Sequence, residues 1–443
     1  MNNRSDSSKI YLIKTMETEA EKEYQNRKLT ALSLIVGTFI VYYFSNPKPQ
    51  NYYDYTFRVA ENFLRGAIGF TVKPPRHLNE FVPFGENWYS VFPLGSVLTM
   101  IPFAFFKFIG AIKTMPAGMI SALTASSICW FLIQIAERYE HEFRRKLLLI
   151  IAILFGTWMW TNETMAGAWQ LALGFAMLGE LGAIYFTVYN RRPMLAGLFF
   201  ALAFGNRTEI ILTAPIFMFL LLRDFRFQIS DSKSQNQNLA VENSNPKPQI
   251  WNLKSEIWKN TAKFCLVPFI LGISTLIYNY LRFDSFTDFG YARIPGVLDE
   301  PWYQYGIFSI WYIPDQAYQM LFKLWKNSAG FPYLVPDGFS ASILWSSPFI
   351  LLIFRLGSRD KILKYTAWTA IILLTFLLWL HGNSGGWQFG YRYAMVLLPW
   401  MFVILLENSP KKITPLEWAA YVISILINAY ATYLFHWTNY IKP

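Results

Sequence analysis

The chain has 443 residues and a formal charge of +11, and only 15% of its residues are charged while 54% are hydrophobic and 19% aromatic. A soluble domain carries about a quarter charged residues, so this composition excludes an ordinary soluble enzyme, a disordered chain and a small disulfide scaffold. Repeated apolar runs close to 20 residues leave an all-α polytopic membrane protein.

Residues 1–28 are polar and mixed in charge, too long for the n-region of a cleavable signal, and no small-residue cleavage site follows. They are expected to form a cytoplasmic segment ahead of a retained first span at 29–45. Further candidate spans fall at 91–109, 116–136, 147–160, 166–188, 194–206, 208–222, 263–281, 341–355, 365–380, 393–407 and 416–434. Three segments between them are polar: a large first loop at 46–115 with a surface helix at 53–66, a linker at 223–262 expected to be flexible, and a second large loop at 282–340 rich in Trp and Tyr. The domain plan is thus 1–28, a transmembrane module at 29–222, the linker 223–262, and C-terminal helices at 263–443.

The basic residues lie in short segments between apolar runs, so they set orientation rather than bind nucleic acid, and no nucleic-acid partner is expected. If 91–109 does not cross, the short inner loops hold Arg138, Arg144, Arg145, Lys146, Arg191, Arg192, Arg355, Arg359, Lys361, Lys364, Lys411 and Lys412. The short outer segments then hold only Arg207, Arg392 and Lys442. Lys107, Pro93 and Pro102 also suit a run that stays on one side. The expectation is about 11 transmembrane helices (range 10–12), with the N-terminus inside, the C-terminus outside and two large outer loops containing surface helices. Cys129 and Cys265 sit inside apolar runs and His77, His141, His381 and His436 are scattered, so neither a disulfide nor a metal centre is expected.

Ionisable residues at a membrane boundary are functional candidates, and on this topology they gather on the outer side. Asp54 opens the 53–66 helix and reads either as a general base or as a helix cap. Glu61 lies on the same helical face, and Arg58 stands where it can pair with Asp54. Lys73, Arg76 and His77 occupy a proline-rich stretch, with Glu80 and Glu86 following, and suit a lipid phosphate or simple interfacial anchoring. Glu163 reads as an acid in a short outer turn. Arg207 and Glu209 interrupt an apolar stretch, as a neutralised pair or as the tip of a hairpin facing a phosphate. The segment HGNSGGWQFGYRYAMVLLPW (381–400) combines glycines that allow close backbone approach with Arg392. Trp302, Tyr303, Tyr305, Trp311, Tyr312, Tyr318 and Trp325 read as an interfacial belt or as sugar-stacking faces.

Taken together, these features resemble the GT-C superfamily of membrane glycosyltransferases, in its family 39-like branch of protein mannosyltransferases and aminoarabinose transferases. The resemblance rests on Asp54 after the first span, FPLGSVLTMIPFAFF, the basic AERYEHEFRRK loop, WTNET, AGLFFALAFGNR and the late glycine–aromatic–Arg segment, and it spans most of 29–407. It implies an inverting transfer of a sugar from a polyprenyl-phosphate donor to a glycan, lipid or protein acceptor hydroxyl at the outer face of the membrane; the lack of cleavable targeting and of disulfides points to a bacterial inner membrane, with that face periplasmic. Asp54 would act as base and Glu163, Arg207, Arg392, Lys73, Arg76, His77 and Glu61 would contact substrate. The sequence reads Asp54-Tyr55-Thr56 in place of an Asp-x-Asp motif, which leaves a divalent metal without support. A transporter or flippase of a lipid-linked or small polar substrate is the competing reading; it predicts paired interrupted helices in two similar halves.

Overall fold

The computed structural model describes residues 3–223 and 247–441, with side chains placed for 21–22, 24–223 and 255–441. A backbone that crosses lipid must satisfy its own N–H and C=O groups, and the chain is accordingly mostly helical. In order, the elements are α1 (Asn3–Ser45), α2 (Tyr55–Leu64), a hairpin of β1 (Phe81–Phe84) and β2 (Asn87–Ser90), α3 (Leu94–Phe108), α4 (Ala117–Ala136), α5 (Phe143–Phe155) and α6 (Met159–Met165). There follow α7 (Ala168–Ile184), prolonged by a π-helical turn Tyr185–Tyr189, then α8 (Pro193–Asn206), a 3₁₀ segment Thr208–Thr213 running into α9 (214–223), and α10 (Lys247–Phe283). The second loop carries α11 (Ile313–Leu321) and a small hairpin of β3 (Lys326–Asn327) with β4 (Leu334–Val335). The chain ends with α12 (Ile343–Ser346), a 3₁₀ segment Pro348–Phe354, α13 (Lys361–Leu380), a 3₁₀ segment Arg392–Leu397, α14 (Leu398–Glu407) and α15 (Pro415–Trp437).

Six of these helices contain stretches long and apolar enough to cross a membrane: α1, α4, α7 with its π-turn, α10, α13 and α15. The pair α5 and α6, bent by 48° at residues 156–158, makes a seventh if it counts as one span. Helices of this number, length and apolarity are those of a multi-pass integral membrane protein. α15 shows why such a run starts where it does. Thr414 caps it by accepting from the Glu417 N–H, Glu417 returns a bond to the Thr414 N–H, and Pro415 fills the first turn.

The connections sort into two ends. At the basic end the Glu142 N–H donates to the Lys411 carbonyl (2.8 Å) and Arg359 to the Arg138 carbonyl (3.0 Å). Arg223 pairs there with Asp360 at 2.6 Å, and Arg145 and Arg355 both pair with the buried Glu417 at 2.9 Å. At the opposite, aromatic end Gln50 bonds Met165, Ala168 bonds Tyr53, Gly382 bonds Ile307, Gln388 bonds Gly338, and Trp437 donates to the Ser45 carbonyl. Helix α3 packs on α2 and α8. Its first turn meets α8 where Gly95 and Gly205 touch backbone to backbone, a contact closed to any larger side chain. Its last turn places Lys107 2.6 Å from Glu61 of α2.

The structure departs from the sequence reading in five places. First, the span runs at 341–355 and 393–407 are not continuous α-helices but short helices joined to 3₁₀ segments, and 208–222 also opens as 3₁₀, so fewer than 11 long spanning helices are present. Pro348 and Pro399 explain part of this, since each removes a backbone donor. Second, the all-α expectation missed the two hairpins; in the first, Gly85 turns at positive φ and Pro83 sits in the strand. Third, α2 is not a surface helix: Tyr55, Thr56, Phe57, Val59 and Ala60 are all buried. Fourth, the expected linker 223–262 is helical from Lys247 onward, because no glycine, and no proline beyond Pro248, interrupts the run to Phe264; its part at 224–246 lies outside the described residues. Fifth, most of the N-terminal segment expected to stand apart continues α1.

Candidate functional site

The helices at the aromatic end bring two arginines to one tyrosine. Arg207 ends α8, where the chain turns extended before the 3₁₀ segment, and its guanidinium lies 4.7 Å from the centre of the Tyr393 ring. Arg392 opens a 3₁₀ segment and stands 5.1 Å from the same ring. The glycines of 381–400 make this approach feasible. Gly385 has φ +96, and a Cβ there would come within 2.9 Å of Arg392 Nε. Gly390, also at positive φ, packs against Trp158.

The two arginines differ in electrostatic state. Arg207 is neutralised by Glu209 at 2.7 Å. Arg392 is 6% exposed, donates to the Gly386 carbonyl (2.8 Å) and weakly to the Tyr393 hydroxyl (3.4 Å), and has a buried Nε without a partner. Among the described residues no carboxylate lies within ion-pair distance of it. A buried guanidinium with incomplete hydrogen bonding is costly, and an anionic ligand would relieve that cost with the planar two-point geometry that arginine favours.

Glu80 provides the facing acid. It precedes β1 and accepts both Glu80–Trp169 bonds, at 2.9 Å, from the Trp169 indole N–H. Burial pushes its pKa up to about 7 against the opposing effects of the Trp169 bond and the Arg392 charge. His381 stands across the site, with the rings of Tyr291, Tyr303, Phe308 and Tyr393 around it. Its Nδ1 donates to the Asn383 carbonyl (2.7 Å), which leaves Nε2 with a lone pair in the neutral ring. Burial holds its pKa below the usual value, despite the Asn383 bond, and the Arg207 and Arg392 charges act in the same direction. The second loop closes over this region: Gln316 of α11 donates to the Gly382 carbonyl and accepts from the Tyr391 hydroxyl.

Asp54 occupies the cap position of α2 but makes no capping bond with its side chain. Instead both carboxylate oxygens accept from Arg58, at 3.0–3.2 Å. Burial raises its pKa and the Arg58 charge opposes the rise. The neighbouring Tyr53 and Tyr55 rings both pack on Trp169, which links the Asp54 helix to Glu80. Glu61 is consumed by Arg65 and Lys107, at 2.8 and 2.6 Å, and its carboxylate faces α3 rather than the arginine pair.

Lys73, Arg76 and His77 are exposed at the rim. Lys73 lies over the Trp88 ring at 5.4 Å, and the His77 ring packs against Tyr52 and Tyr53. Glu163 does not sit in an outer turn. It lies inside α6, fully buried, with neither carboxylate oxygen bonded, and it fills the notch left by Gly174 of α7. Asn162 beside it bonds the Phe389 backbone in both directions, at 2.7 and 3.2 Å, and so ties α6 to the glycine segment. Of the aromatic belt, Tyr303, Tyr312 and Trp325 are buried in the loop, whereas Tyr305, Trp311 and Tyr318 are exposed.

The site therefore unites Arg207 and Arg392, links Asp54 to Glu80 only through Tyr53, Tyr55 and Trp169, and leaves Glu61 and Glu163 bonded to neither arginine. Sequence reasoning named Glu80 only as part of the 73–96 stretch and did not single out Trp169, His381 or Tyr393. Two of these had a local signal: His381 heads the glycine segment, and Tyr393 follows Arg392 directly. Among the described residues no three His, Cys, Asp or Glu side chains converge as metal ligands would. Comparison with protein-family models, with curated proteins and with solved structures found no match.

Proposed function

We propose that the chain is an inverting glycosyltransferase that moves a sugar from a polyprenyl-phosphate donor to an acceptor hydroxyl at the outer face of the membrane. The observation that carries this reading is Arg392, a buried cation without a carboxylate partner, sharing the Tyr393 ring with Arg207 at one end of a membrane bundle. In the reaction the acceptor oxygen attacks the anomeric carbon, the bond to the phosphate oxygen breaks, and the lipid phosphate departs with the electron pair. Asp54 takes the acceptor proton. Arg392 and Arg207 stabilise the departing phosphate in a site with little water. Glu80 and His381 Nε2 are the other groups able to exchange a proton there. Lys73 and Arg76 draw the lipid phosphate toward the rim.

The same reading takes the aromatic end as the outer, periplasmic face and the basic end as cytoplasmic. It counts eleven crossings, with α8, 208–223, 343–354 and 392–407 as the short ones. The 3₁₀ geometry supports this count: at about 2.0 Å per residue against 1.5 Å, residues 392–407 extend about 27 Å, close to the hydrocarbon thickness of about 30 Å.

The test is release of polyprenyl phosphate by purified protein in nanodiscs supplied with polyprenyl-phosphate pentoses and hexoses. Arg392→Ala and Asp54→Asn are expected to lower turnover about 10²–10³-fold. Wild-type turnover by both variants refutes the assignment. One feature favours a transporter instead, the bent α5–α6 pair with the lone acid Glu163. Substrate flux across sealed vesicles that stops in Glu163→Gln, without sugar transfer, would establish it.

A further inference from the structure

At the basic end, away from the arginine pair, three loops line an open cavity of about 700 Å³. They are the α4–α5 loop, the segment after Phe354 and the α14–α15 loop, with Tyr139, Arg355, Leu356, Arg359, Glu407 and Lys411 among the lining residues. The buried acids in and behind the walls are already satisfied. Glu407 accepts from the Tyr139 hydroxyl (2.7 Å), the Ser358 hydroxyl (3.0 Å) and the Asp360 N–H (2.7 Å). Glu417 is shared by Arg145, Arg355 and the Thr414 cap. The cations at the mouth are held much more loosely. Arg359 makes one bond to the Arg138 carbonyl and stands 5.7 Å from the Tyr139 ring. Lys411 reaches Glu140 at 3.5 Å with both side chains more than three-quarters exposed. Such a pair contributes little and yields readily to a competing anion.

The rim is also amphiphilic. Leu356 lines the cavity and is 93% exposed, and Phe354 two residues before it is 63% exposed. An apolar side chain projecting beside loosely held cations at a membrane boundary matches one kind of ligand, a phosphate diester carrying acyl chains. We propose that this cavity binds the headgroup of an anionic phospholipid of the adjacent leaflet, with the phosphate between Arg359 and Lys411 and the first acyl carbons along Leu356 and Phe354. The site is independent of the chemistry at the aromatic end.

The experiment uses full-length protein in detergent, with dioleoyl phosphatidylglycerol as the probe, dioleoyl phosphatidylcholine as the neutral lipid and inorganic phosphate as the free anion. Bound lipid is counted by native mass spectrometry and titrated by thermal stabilisation, each variant referenced to its own lipid-free melting temperature. Wild type is expected to retain one phosphatidylglycerol and no phosphatidylcholine. The double variant R359Q/K411Q is expected to bind about thirtyfold more weakly, with each single variant intermediate. Lys412→Gln removes a basic residue of the same end that does not line the cavity and is expected to leave binding within twofold. Equal loss in Lys412→Gln and the double variant would reduce the effect to diffuse surface charge and overturn the proposal. Inorganic phosphate that stabilises as well as the lipid at equal concentration would overturn the lipid assignment. A double variant with wild-type lipid affinity would overturn both.

Discussion

Glu80 offers a measurement of the site that does not depend on knowing the substrate. Burial pushes its carboxyl from its ordinary 4.5 up to about 7, with the Trp169 bond and the Arg392 charge pulling the other way. The sign follows from proton linkage. Between those two values the folded chain keeps a proton that the unfolded chain releases, so Glu80 lowers stability as pH rises through that window. The difference corresponds to about 3 kcal/mol. Both carboxylate oxygens accept from the Trp169 indole N–H at 2.9 Å, so Trp169 reports the ionisation directly. With 5-fluorotryptophan incorporated and the Trp169 resonance assigned by its loss in Trp169→Phe, its fluorine shift should titrate with a midpoint near pH 7. Glu80→Gln should flatten that titration and remove most of the fall in melting temperature between pH 5 and pH 8. A midpoint at or below pH 5 in the wild type would refute the reasoning, because the Arg392 charge would then outweigh burial.

Two further outcomes are expected. Gly174→Ala would stabilise an ordinary exposed helix by about 1 kcal/mol, but its Cβ would fall on the Glu163 carboxyl; it should instead cost about 1–3 kcal/mol in detergent unfolding, and Glu163→Ala should relieve most of that cost in a double-mutant cycle. Single cysteines at 86 and 113, exposed at the aromatic end, should label from outside cells in a background lacking Cys129 and Cys265, while cysteines at 140 and 192 should stay protected; labelling of 113 and 140 alike would break the eleven-crossing topology.

The grouping of the basic loops was legible because it depends on residue type alone. Arg138, Arg191, Arg355 and Lys411 need no long-range partner to mark one face, and the end-to-end contacts group their loops together. For α3, Pro93, Pro102 and Lys107 suggested a run that stays on one side; the structure sets its two ends against Gly205 of α8 and Glu61 of α2. The 3₁₀ segments were not, since a run such as PFILLIF is equally apolar in either winding. Glu163 was misread for a specific reason. The polar string WTNET looks like a turn, yet Thr161, Asn162 and Thr164 find partners in Thr432, Phe389 and His436, more than 200 positions away. Those partners bury the segment, and nothing local announces them. The arginine pair was half legible: each cation stood out in an apolar stretch, but their meeting on Tyr393 is set by the packing of α7 on the Arg392–Leu397 segment and of the Thr208–Thr213 segment on α13.

The bonds between Asn162 and Phe389 make the short helix α6 and the glycine segment a single mechanical body. Asn162 both gives and receives a hydrogen bond at the same backbone position, only three residues before Arg392. α6 is also the half of the bent pair beyond the break at 156–158. Its other polar side chains are tied as well, Thr161 to Thr432 and Thr164 to His436. The backbone that leads to Arg392 is therefore anchored to a helix whose own acid, Glu163, lies inside the bundle against Gly174.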